Sequence, residues 1–84
     1  MEANSMLAII RETVIDNATL FGFEYLGKDG NVDPIYNEKS GNHFLLFYDG
    51  YEIVVPSFED VLSAPFVHGH TLKEICGEIS ITDI

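Results

Sequence analysis

Eighty-four residues leave room for one domain over 1–84, and a chain this short hides only about 60% of the surface its unfolded form exposes, so the core is expected to be thin. Fourteen Asp plus Glu against four Lys plus Arg give a formal charge of -10, and Arg11, Lys28, Lys39 and Lys73 fall in four separate segments, which excludes a basic stripe for nucleic acid and disfavours an anionic membrane. An apolar share of 46%, with six Phe and four Tyr, lies outside the compositions that stay disordered, and a single cysteine, Cys76, excludes an intramolecular disulfide.

In chain order, Met6, Leu7, Ile10, Val14, Ala18 and Phe21 fall on one stripe at 100° per residue, which predicts a helix over residues 6 to 21 with Asn4 or Ser5 as its cap and Gly22 as its stop. Ile9 and Ile15 lie off the stripe, against flanking strands or on a contact surface. Phe23 to Leu26 reads as a strand, Lys28-Asp29-Gly30-Asn31 as a turn, and Val32 to Tyr36 as an edge strand or irregular arm, because Pro34 has no N–H for a ladder. Residues 37 to 42 read as a loop. His43 to Tyr48 and Tyr51 to Val55 flank Asp49-Gly50, a dipeptide suited to the positive φ values of a tight hairpin. Pairing Tyr48 with Tyr51 puts Phe44, Leu46, Ile53 and Val55 on their face and Leu45, Phe47, Glu52 and Val54 on the other, so both faces of the sheet are largely apolar and each needs a cover. Ser57 caps a short helix through Ser63, Pro65 ends it, Thr71 to Glu74 has capping-box spacing for a helix of about two turns, and Ile79 to Thr82 alternates like a strand.

The expected fold class is therefore α+β: a small antiparallel sheet of three to five strands around the 43–55 hairpin, with an N-terminal helix on one face and two short C-terminal helices capping it. The amino end lacks a basic leader, and the apolar run from Met6 to Ile10 is too short for a signal peptide or a membrane span, which with the lone cysteine suggests a cytoplasmic protein.

Three groups invite chemistry. His68-Gly69-His70, with Cys76, Glu74 or His43, offers a metal site or, with the thiol as nucleophile, an enzyme. Against this, four-ligand pairs are missing, and Cys76 sits late in a short helix beside Glu74 and Glu78, where the thiolate is disfavoured. Glu59-Asp60 and the pair Glu24 and Glu52 have the residue types of a glycosidase, but helix-start acids normally serve the dipole and strand acids normally face solvent. Seven glycines sit singly and build no phosphate loop. No cofactor and no catalytic apparatus are expected.

Weight therefore moves to binding. The first expectation is a small acidic inhibitor or immunity-type protein that occludes the basic surface of a nucleic-acid-acting protein, such as a nuclease, a toxin or a CRISPR-type defence complex. Tyr48, Asp49, Tyr51, Glu52, Glu59 and Asp60 are the candidate contacts, on the premise that they gather around the hairpin tip and the helix after it. A non-catalytic homodimer that buries its spare apolar face is the alternative, and the metal protein or enzyme using His68, His70 and Cys76 the third.

Overall fold

The computed structural model describes residues 3–39 and 41–84. Helix α1 (Ala3–Arg11) runs through a π-helical turn (Glu12–Asp16) into strands β1 (Phe21–Tyr25), β2 (Lys28–Asn37), β3 (Gly41–Tyr48) and β4 (Tyr51–Val55). Helices α2 (Phe58–Ser63) and α3 (Leu72–Ile75) follow, and β5 (Ser80–Asp83) closes the chain. The five strands form one antiparallel sheet in the order β4-β3-β2-β1-β5, which is the expected α+β class.

The first helix departs from expectation at both ends. It is already formed at Ala3, so Asn4 and Ser5 are exposed residues of its body rather than its cap. It stops at Asp16 rather than near Phe21, because the Thr13 hydroxyl donates back to the Ile9 carbonyl at 2.8 Å and the ladder widens to the Asn17 N–H bond to Glu12 at 2.9 Å. Such back-bonding bends helices, and here the wider turn buries both Thr13 and Val14. Ala18 then takes a φ of 50°, and Phe21 and Gly22 belong to β1. Met6, Ile10 and Val14 fill the core as the stripe requires, with Leu7 and Ile9 partly buried against it.

The turn expected over Lys28 to Asn31 sits instead at Leu26-Gly27, both with positive φ, and β2 begins at Lys28. Gly30 is a strand residue whose missing side chain makes room for the Phe23 ring, with which a Cβ there would collide. Nor is β2 an edge strand or an irregular arm: it lies at the centre of the sheet. Pro34 is tolerated because β1 ends opposite Val32, and alternation of the ladder points the Pro34 nitrogen away from β3, past the end of β1. The loop expected over 37 to 42 is shorter, with β2 running to Asn37 and β3 starting at Gly41; Ser40, inside that loop, lies outside the described residues.

The hairpin forms as read: Asp49 and Gly50 have φ values of 46° and 86°, and Tyr48 faces Tyr51. Ser57 caps α2, its hydroxyl accepting from the Asp60 N–H, and Thr71 with Glu74 forms a complete capping box on α3, which lasts one turn rather than two. Phe66, Val67, Leu72, Ile75 and Cys76 join Phe21, Phe23, Val32, Leu46 and Tyr48 in a single buried cluster with α1. The C-terminal segments therefore share the sheet face used by α1. No described helix is long and apolar enough to cross a membrane.

Candidate functional site

Residues opposite one another on adjacent strands share a face, so the register sorts every strand side chain. Phe21, Phe23, Val32, Phe44, Leu46 and Val55 turn toward the helices and are buried. The opposite face carries rows that cross the sheet: Glu52, Phe47, Asn31 and Gly22; then Val54, Leu45 and Asp33; then His43 and Ile35. A fourth row at the other flank holds Asp29, Glu24 and Ser80. Among the described residues no side chain on this face is fully buried. The second cover that the sequence demands is therefore absent from the described chain.

The open face has an apolar centre and an acidic border. Leu45 and Phe47 are half-buried, Val54 is 54% exposed and Ile35 39%, and these four are neighbours on β2, β3 and β4. Glu52 and Asp33 adjoin them, Asp29, Glu24 and Asp83 follow on the flank toward β1 and β5, and among the described residues no Lys or Arg occupies a strand position of this face. Glu24 stands directly opposite Asp29, a like-charge pairing that costs a sheet stability. An apolar patch left open is unfavourable in the free protein, and among the described residues no ion pair neutralises these carboxylates.

The six residues expected as contacts do not form one patch. Tyr48 is 1% exposed, its ring parallel to Phe23 at 6.2 Å and its hydroxyl donating to the Tyr25 carbonyl at 2.6 Å, so it is a core residue with no surface to offer. Burial, Asp49 and Tyr25 push its phenol above the ordinary range. Asp49 lies at the hairpin tip within 3.0 Å of His68 Nε2. Tyr51, 53% exposed, faces the helix side at the sheet edge, while Glu52 belongs to the open face. Glu59 and Asp60 begin α2, and β4 carries the chain roughly 16 Å from the tip before α2 starts, five residues at about 3.3 Å each. Sequence reasoning omitted the apolar members Leu45, Phe47, Val54 and Ile35 and the acids Asp33, Asp29, Glu24 and Asp83, and the signal for the first three is the second apolar face of the hairpin.

The catalytic candidates are dispersed. Glu24 and Glu52 lie on β1 and β4 with two strands between them, so their backbones are about 14 Å apart, beyond any glycosidase spacing. Asp60 Oδ2 accepts from the Ser57 hydroxyl at 2.9 Å at the start of α2. His70 pairs with Glu74 at 3.5 Å, while His68 turns to Asp49 and lies T-shaped to the Tyr48 ring. Cys76 is buried, its Sγ donating to the Lys73 carbonyl at 3.3 Å, and burial raises its thiol. Among the described residues no three His, Cys, Asp or Glu side chains converge as metal ligands.

Comparison of the chain with protein-family models, with curated proteins and with solved structures finds no match.

Proposed function

We propose that the protein is a non-catalytic binding module that docks the open face of its sheet on a basic protein surface, as a small acidic inhibitor or immunity-type protein does when it occludes a nucleic-acid-acting partner. The observation that supports this most is the composition of that face: Leu45, Phe47, Val54 and Ile35 beside five carboxylates, with no Lys or Arg at a described strand position among them. A surface that handles nucleic acid is cationic of necessity, because it must neutralise phosphates. Carboxylates speed encounter with such a surface and fix the register, and the apolar centre supplies affinity once water is expelled.

The test is co-purification from the native host with the wild-type chain and with a Phe47→Ser, Asp33→Lys variant, followed by association kinetics against salt. The reading expects a basic partner that the variant loses, with an association rate that falls as screening shortens to about 10 Å at 0.1 M ionic strength. A partner that binds both forms equally, or associates at a rate indifferent to salt, would remove it.

The apolar centre also suits a homodimer, but two such faces would bring ten carboxylates together, five from each copy, without a cation between them. Sedimentation at neutral pH separates the readings: a face-to-face dimer there would favour the homodimeric alternative.

A further inference from the structure

The open face continues to the edge of the sheet, where β4 has a neighbour on one side only. In a two-residue hairpin the pair next to the turn exchanges both hydrogen bonds, and pairs alternate from there. Tyr48 with Tyr51 and Leu46 with Ile53 are thus bonded, which directs the N–H and C=O groups of Glu52 and Val54 outward from the sheet. Neither residue takes part in a described hydrogen bond outside the ladders. No Pro, Lys or bulge interrupts β4; its one charged residue is Glu52, which disfavours an acidic strand and admits a cationic one. On the helix side of the same edge, Tyr51 borders a groove of about 310 Å³ whose other wall is Pro65, Phe66, His68 and Gly69.

An extended segment laid along β4 meets all three features. Its backbone bonds to Glu52 and Val54, one set of alternate side chains falls beside the groove, and the other set falls beside Glu52 and Val54 on the open face. We infer that β4 is a strand-addition site for an extended segment of the partner protein, one that carries an aromatic or aliphatic side chain for the groove and Lys or Arg for Glu52. This rests on the binding-module reading and names how the partner engages. A second copy fits less well: pairing β4 with itself about Ile53 sets Val55 of the copy opposite Tyr51, and Val55 is already buried in its own core.

The probe is a capped ten-residue peptide alternating Lys with Val and Phe, with a Lys→Glu version as control, titrated into the full chain. Amide hydrogen exchange of Glu52 and Val54 is the readout. With the peptide at ten times its dissociation constant those two amides are expected to slow about tenfold, since exchange then proceeds only from the free fraction. Val54→Pro removes an outward N–H without taking a bond from β3, and should weaken the peptide by about tenfold while leaving the melting transition in place. Tyr51→Ala should weaken it through the groove instead. Absence of peptide binding, or equal binding of the Glu version, overturns the inference. Binding that shifts Leu45 and Phe47 resonances with no slowing at Glu52 and Val54 overturns strand addition while sparing the open face. Slowing that grows with protein concentration alone makes the occupant a second copy and overturns it as well.

Discussion

Replacing Tyr48 by Phe removes one oxygen from a buried aromatic of the sheet and tests how the hairpin is tied to the rest of the chain. The hydroxyl donates to the Tyr25 carbonyl at 2.6 Å across 23 residues of sequence, while the ring is stacked on Phe23 and lies T-shaped to the His68 ring with centroids 4.9 Å apart. Phe keeps the ring contacts and deletes the bond, so the cost is a lost hydrogen bond plus partial desolvation of the carbonyl, about 1.5 kcal/mol. For a domain of this size that lowers the melting temperature by roughly 6–12 °C. The cost should also depend on pH. Burial and the charge of Asp49 raise the phenol above its ordinary 10.0, so the fold retains a proton that the unfolded chain releases. The stabilisation is complete below that value and is lost as pH rises through the folded value. The other tyrosines titrate in both proteins, and subtracting the variant isolates Tyr48. Urea unfolding followed by circular dichroism at pH 7 and again above pH 10 measures the gap. A variant as stable as wild type at pH 7, or a gap that widens with alkalinity, would refute the argument.

Gly30→Ala should cost about 2 kcal/mol in thermal unfolding, because the new methyl meets the Phe23 ring inside a packed core, whereas Gly50→Ala pays only for its positive φ. Asp29→Asn should raise the stability of the free protein by about 0.5 kcal/mol by relieving the opposed Glu24, an effect that fades in high salt. The same variant should bind the proposed partner less well, and loss of stability would contradict the pairing. Glu74 is held below its ordinary 4.5 by the Thr71 N–H, the Thr71 hydroxyl and His70. Its contribution is present above that value and is lost as pH falls through the folded one, so Glu74→Gln should flatten the acid limb of a melting-temperature profile and leave the alkaline limb unchanged.

The parts of the fold legible in the sequence are those set by local chemistry. Asp49-Gly50, Ser57 and the Thr71–Glu74 spacing each act within four residues, and each element they define is present. What was lost depended on partners distant in the chain. Gly30 reads as a turn residue until Phe23 is known to lie over it, and Pro34 reads as an edge signal until β1 is seen to end opposite Val32, short of it. Phe21 satisfies the helical stripe by coincidence, since a buried strand residue and a buried helix residue look alike where the period changes. The open face was half visible: alternation in the hairpin separates Leu45, Phe47 and Val54 from the core set, but which face the helices would choose is a tertiary matter. Tyr48 entered the contact set for its place beside the hairpin turn, and two-residue alternation alone ties it to Leu46 and Ile53, the buried side.

Choosing one face for every helix leaves the sheet asymmetric, and the charge distribution follows that asymmetry. The helix-covered side collects the large apolar residues and returns about 25 cal/mol for each Å² removed from water. The other side retains apolar side chains that are only partly removed from water in the free protein, and acids such as Glu24 and Asp29 that repel one another. Those acids also repel the same face of a second copy, which opposes self-association through the open apolar centre. If the docking reading holds, affinity and selectivity have the same source. A cationic partner relieves the repulsion and dries the centre in one step, an anionic surface meets five carboxylates at close range, and a neutral apolar one leaves those carboxylates stripped of water and unpaired.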